Sequence, residues 1–388
     1  MGSSAVGGGL FLTGSDSSSR KPRVISRLLP VLGALLVASA PLWAQVEPLG
    51  HPSVEDRIEA LGTDPSQGFR FVAFGDQKNL WNNEFPRLLD LVRAEASKGD
   101  LLFMLDSGDF VDDGTKTDQF DTLRRHLAPV ADVPYLVGVG NHELQPEKGP
   151  EGRRRAHRHT VEFLGGEYAE GRMFYAKRVG PVRLLFLNTN DLPGVYPKMY
   201  KSDPGVGARA AAQLKWLDEE LREDVHPTIA ISHHAFVQSP SKHRGHARAL
   251  WNYTYRDYGD RTLPEILIDG GVDLILTGHV HSYEVFKLER GGRQMWSVNA
   301  SGKPTGIWRS GQRMPSNWQG RELEQLKEKG FDTRLEQWTI RQLDFMTNET
   351  KQNQLAVMTV DAVGSLQIEI RSVDGTTLHA LQIPGITP

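Results

Sequence analysis

Phe69-Arg70-Phe71-Val72-Ala73-Phe74-Gly75-Asp76-Gln77 is a short apolar run that stops at a glycine and an acid. It is too short for an ordinary helix and has the composition of a strand buried on both faces. Runs of the same kind recur at Leu101–Leu105, Tyr135–Val139, Leu184–Leu187, Thr228–Ser232 and Asp273–Thr277. Helix-like stretches lie between them. Glu84–Lys98 sets Phe85, Leu88, Leu89 and Val92 on one face, Thr117–Leu127 behaves alike, and Arg209–Glu223 repeats Leu214, Leu217 and Leu221 at helical spacing. Strand, helix and strand with a return of about 30 residues predict right-handed crossovers and a mainly parallel sheet. Farther on, Val285–Leu288, Gln294–Val298, Leu355–Val360 and Leu366–Arg371 read as antiparallel strands, and the polar stretch 303–350, with a helix-like Arg321–Lys329, reads as an insertion.

The ends of these strands carry the chemistry. The first three close in Gly75-Asp76-Gln77, Gly108-Asp109-Phe110-Val111-Asp112 and Gly140-Asn141-His142-Glu143. Asp76, Asp109 and Asn141 are spaced 33 and 32 residues apart, one crossover unit each. Successive parallel strands point the same way, so all three side chains are expected at one sheet edge, where open α/β sheets bind ligands. The glycines let the backbone turn sharply there. Two later strands end in His233-His234 and in Gly278-His279-Val280-His281. Should they join the same sheet in parallel, their imidazoles arrive at the same edge. Two Asp, one Asn and three His make a nitrogen and oxygen cage suited to Fe, Mn or Zn, in a number that suits two ions. Any one block alone is commonly just a turn; the ordered set is much harder to obtain by accident.

That ordered set resembles the calcineurin-like metallophosphoesterase superfamily, with some similarity to purple acid phosphatases. The resemblance covers about residues 68–302. It implies an α/β fold of two packed mixed β-sheets flanked by helices, a four-layer α/β/β/α sandwich. It also implies two divalent or trivalent transition-metal ions and hydrolysis of phosphate esters, mono- or diesters, by a metal-held hydroxide. By match, Asp109 would bridge the ions, Asp76 and His281 would serve the first, and Asn141, His233 and His279 the second. His142 would face the substrate phosphate as proton donor or charge stabiliser. Two positions depart from the family pattern. Most members carry His two residues after the first Asp, where this chain has Lys78; purple acid phosphatases carry Tyr three residues after the second Asp, where it has Asp112. Gln77, Asp112 or a water could fill the missing place, and Lys78 is expected to turn away or pair with Asp112 or Asp113. An altered first site favours a second reading, a metal- or phosphate-binding protein of the same fold with weakened or lost catalysis.

Composition narrows the rest. No cysteine occurs among the 388 residues, which excludes disulfides, thiolate metal sites and cysteine nucleophiles. Lys and Arg total 45 against 48 Asp and Glu, so no nucleic-acid-binding signature is present. No phosphate loop with Lys-Ser/Thr and no Gly-x-Ser-x-Gly elbow occurs. Arg20, Lys21, Arg23 and Arg27 flank an uncharged run from Leu28 to Val46 with small residues at Ala38, Ala40 and Ala44, the pattern of a secretory signal. Residues 1–44 are therefore expected to be a signal peptide and N-terminal extension, 45–67 a linker or capping segment, and 68–388 the metallophosphoesterase domain. The protein is expected to be periplasmic or secreted, with no stable membrane span after cleavage; the alternative is an N-terminal membrane anchor. The expected partner is a phosphorylated small-molecule or ester substrate. His234 and His246 are possible substrate contacts, and the arginines of 151–159 are either a wall facing an anionic substrate or a solvated helix face.

Overall fold

The computed structural model describes residues 51–78, 84–164, 172–238, 246, 249–251, 253–300, 337–345 and 353–383. The expected signal segment and the helix expected at 321–329 lie outside them. Helix α1 (Val54–Leu61) leads to β1 (Gly68–Phe74), α2 (Glu84–Ala96) to β2 (Leu101–Asp106), and α3 (Thr117–Leu127) to β3 (Tyr135–Val137). After α4 (Asn141–Leu144) and α5 (Gly149–Leu164) come the hairpin strands β4 (Tyr175–Val179) and β5 (Val182–Leu187). Helices α6 (Pro197–Ser202) and α7 (Pro204–Glu220) then precede β6 (Thr228–Ser232). A small pair, β7 (Thr254–Tyr255) and β8 (Arg261–Thr262), and α8 (Leu263–Asp269) lead to β9 (Leu274–Thr277). The described part closes with β10 (Tyr283–Arg290), β11 (Arg293–Ala300), β12 (Trp338–Phe345), β13 (Gln354–Asp361), β14 (Leu366–Ser372) and β15 (Thr377–Ile383).

Apart from the β7–β8 pair, the described strands form two sheets, not the one that the strand pattern by itself suggests. The first runs β15-β14-β13-β1-β2-β3 and the second β12-β10-β11-β9-β6-β5-β4. β1, β2 and β3 are parallel, as are β5, β6, β9 and β11, and the remaining strands are antiparallel additions. An apolar run specifies a strand covered on both faces but not its neighbours, so two short parallel sheets and one long one read alike.

Side-chain alternation builds the layers. Phe71 and Ala73 of β1, Phe103 and Leu105 of β2, Ile229 and Ile231 of β6, and Leu274 and Leu276 of β9 share one buried cluster between the sheets. Val72, Phe74 and Met104 face the other way, against Leu88 and Val92 of α2 and Phe120 and Leu123 of α3. Ala230 and Ile275 face outward from the second sheet, against Leu214 and Leu217 of α7 and Ile266 and Leu267 of α8. The result is helix, sheet, sheet, helix, the four-layer arrangement that the resemblance implies.

Two stretches differ from expectation. Residues 54–61, within the expected linker, form α1, capped by a reciprocal pair of bonds between Ser53 and Asp56 (2.9 and 3.1 Å) and ended by Gly62 at φ 60°. Its Val54 enters the core and its buried Arg57 bonds Asp132 at 2.8 Å. Within the expected insertion, residues 338–345 are an edge strand pairing with β10, and Trp338 is buried edge-on against Trp251.

Candidate metal centre

The turns after β1, β2 and β3 are laced together through backbone. Ser107 N–H donates to Phe74 O and Asp76 N–H to Gly108 O, both at 2.9 Å, and Lys78 N–H donates to Asp109 O at 3.0 Å. Asp76, Asp109, His279 and His281 sit in left-handed backbone, at φ 63°, 62°, 69° and 55°. Four of the six non-glycine residues with positive φ among those described are therefore candidate site residues. Such conformations are uncommon and concentrate at functional sites. Sharp turning accounts for Gly108, at φ 105°, but not for Gly140, at φ −92°. There a Cβ would collide with the Asp109 carboxylate.

Glu143, for which the sequence reading had no role, fixes this frame. It is fully buried and its carboxylate accepts the backbone N–H groups of Asp109 (2.8 Å), Val111 (3.0 Å) and Gly140 (2.7 Å). Burial and the neighbouring Asp109 push its carboxyl up to about 7. Asn190, also missed, donates to Val139 O and Gly140 O at 3.2 Å. It belongs to Asn188-Thr189-Asn190-Asp191, a polar cluster at the end of β5 that repeats the signal of the other strand ends.

The structure brings the expected residues of both sheets together. His233 Nε2 lies 3.2 Å from Asn141 Oδ1, 3.3 Å from Asp109 Oδ1 and 3.2 Å from His279 Nδ1. Asp76 accepts the His279 N–H at 2.8 Å through Oδ2, and His281 Nε2 lies 3.3 Å from its Oδ1. Asp76, Asp109 and His233 are wholly buried. His142 donates its backbone N–H to Asp109 Oδ1 at 2.9 Å. Its ring Nδ1 lies 2.5 Å from Asp112 O, and its Nε2 lies 3.9 Å from Asp109 Oδ2. The ring is 29% exposed, so solvent reaches it.

Lys78 and Asp112 depart from expectation. Lys78 pairs neither with Asp112 nor with Asp113: its ammonium sits on Asp109 Oδ2. Asp113 pairs with Lys148, and Asp112 faces the His142 ring, with its carbonyl at 2.5 Å and its Oδ1 at 3.5 Å from Nδ1. Backbone explains the difference, because the bond from Lys78 N–H to Asp109 O lays the Lys78 stem along the Asp109 turn. Burial works against the Lys78 charge, and Asp109 and Asp76 outweigh it, holding its pKa above the usual value. Burial likewise opposes the Asp109 carboxylate, yet His233 and Lys78 hold it well below the ordinary range.

His234 is wholly buried, with Nδ1 at 2.7 Å from Thr189 Oγ1 and Nε2 at 3.1 Å from the Tyr196 hydroxyl. His246 Nδ1 lies 2.9 Å from His279 Nε2, and burial, with nearby His233, lowers its imidazole to about 4. A neutral His246 accepts the Nε2–H of His279 and thereby leaves the His279 Nδ1 lone pair facing His233. Arg154, Arg155 and Arg158 lie on the exposed face of α5.

Residues 69–283, more than half of the chain, match the family described as calcineurin-like phosphoesterase. The chain belongs to that family. It is 26% identical over 179 residues to a probable purple acid phosphatase 20 of Arabidopsis thaliana, a match over 43% of this chain and 36% of that relative. The purple acid phosphatase PPD1 from yellow lupin (Lupinus luteus) seeds has a similar fold, with a TM-score of 0.53 at 15% identity over 82% of this chain and 55% of the other. GAP50, the anchor in the inner membrane complex of Plasmodium, aligns with a TM-score of 0.48 at 13% identity over 82% and 90% of the two chains. The chain thus spans about a third of the curated relative and about half of the lupin protein.

The donor set fits a cation. Asp109, His233 and His279 each offer a ligand atom, all within 4.8 Å of one another. His233 Nδ1 lies 3.1 Å from Ser107 O, and although burial opposes its charge, Asp109 and Asp76 raise its imidazole to about 9, so Nε2 carries a proton toward Asp109 Oδ1, Asn141 Oδ1 and His279 Nδ1. The acceptors around that proton converge in a buried place that needs a positive charge, and a cation that displaces the Nε2 proton would meet it with His233 as a further ligand.

Proposed function

We propose that this protein is a metal-dependent hydrolase of phosphate esters, with Asp109, Asn141, His233 and His279 holding a cation at the sheet rim. The observation that supports this reading most is the convergence of Asn141 Oδ1, Asp109 Oδ1 and His279 Nδ1 on His233 Nε2 within 3.3 Å. A bound cation polarises a phosphoryl oxygen and acidifies water, which makes it a source of the attacking oxygen at neutral pH. The protein's own side chains supply the rest. His142, tethered through Nδ1 to Asp112 O, keeps Nε2 available to give a proton to the leaving oxygen as the P–O bond breaks. Glu143 keeps the Asp109 and Asn141 turns in place, and His246 orders the His279 ring. Asp76 and His281 complete the acidic and imidazole lining. We read the basic flank and apolar run at residues 20–46 as an export signal, which would put the reaction outside the cytosol.

Lys78 supports a second reading, a protein of the same fold that binds metal or phosphate with little turnover, because its ammonium already neutralises Asp109. An aryl phosphate and its bis-aryl diester separate the two. With Mn, Fe or Zn supplied after chelation, the hydrolase shows metal-restored turnover, and His142→Ala lowers kcat about 10²–10⁴-fold. Turnover no greater than that of His142→Ala under every metal favours the binding protein.

A further inference from the structure

Asp109 offers its two oxygens to different charges. Oδ1 faces His233 Nε2 at 3.3 Å, on the side of Asn141 and His279. Oδ2 carries the Lys78 ammonium. Lys78 is anchored at both ends, by its ammonium and by its backbone N–H on Asp109 O at 3.0 Å, and its side chain is only 9% exposed. It stands two residues after Asp76, where the family resemblance implies a histidine ligand. Asp76 Oδ1 and His281 Nε2, which the resemblance assigns to that first site, lie 3.3 Å apart.

We propose that Lys78 takes the place of one of the two ions, so that the centre holds a single cation between Asp109, Asn141, His233 and His279. The proposal rests on the metal-dependent reading above and adds to it the number of ions and the residue that sets it. An ammonium has three donors and no lone pair, so Lys78 cannot ligate as histidine does. It satisfies Asp109 Oδ2, the oxygen that a second ion would share. A second ion beside Asp76 and His281 would also meet a like charge in a buried place, where screening by water is weak. The fixed ammonium balances the Asp109 charge as an ion would, without being lost to chelators.

The test counts ions. Purified protein loaded with Mn(II) and desalted is expected to hold one Mn per chain, and Lys78→His two. Two ions in the wild type, or one in a folded Lys78→His, overturn the proposal. Electron paramagnetic resonance of the Mn-loaded wild type needs no variant: an isolated-ion spectrum is expected, and an exchange-coupled pair overturns the assignment. A wild type that holds no ion sinks the metal-dependent reading itself, and the one-ion proposal with it, so the two failures differ in their counts.

Discussion

Glu143 sits beneath the centre with both carboxylate oxygens occupied, Oε2 by the N–H groups of Asp109 and Gly140 and Oε1 by that of Val111. In Glu143→Gln one oxygen becomes an NH₂ group that opposes a backbone donor. Leaving a buried donor unmet costs about 1–3 kcal/mol. Urea unfolding of Glu143→Gln is therefore expected to show a loss of that size, accompanied by weaker Mn binding, because the Asp109 turn loosens. An unchanged midpoint would mean that the three bonds do not hold the turn. At this scale the sequence was informative about residue type and silent about conformation. Asp, Asn and His at strand ends are visible as letters, whereas the left-handed backbone of Asp76, Asp109, His279 and His281 is set by the strands and turns around them. The Lys78 partner was misread for the same reason: it depends on how two turns, 31 residues apart, lie against each other.

Elements position these residues through close packing of turns. Gly140 follows β3 and begins the short helix of Asn141, and a Cβ on it would run into the Asp109 carboxylate. Gly140→Ala is expected to weaken Mn binding at least about tenfold while the overpacking costs roughly 1–3 kcal/mol of stability. A binding isotherm checks the first and thermal unfolding the second; wild-type affinity would show that the Asp109 position does not matter. The strands that carry the site were legible because each is a mostly apolar run of three to seven residues, buried along most or all of its length. The edge strands β12 and β15 were not. β15 mixes exposed and half-buried positions, with His379 and Gln382 interrupting its apolar residues, and β12 opens inside a polar stretch. α1 left a local mark, Ser53 with Asp56 three residues on, in a segment whose proline and glycine masked it.

Across the molecule, the centre lies where two sheets meet. Asp76, Asp109 and Asn141 follow β1, β2 and β3 of the first sheet; His233, His279 and His281 follow β6 and β9 of the second. That partition was not available from the strand pattern, which fits one parallel sheet as well as two, and came into view only through the order of the blocks. It matters for the proposed function because a cation held by Asp109 and Asn141 on one side and His233 and His279 on the other would tie the sheets together at their common rim. Anomalous diffraction from crystals grown with Mn locates such an ion directly. The account predicts a peak enclosed by Asp109, Asn141, His233 and His279. Clear density for those four side chains with no peak among them, at saturating Mn, contradicts it.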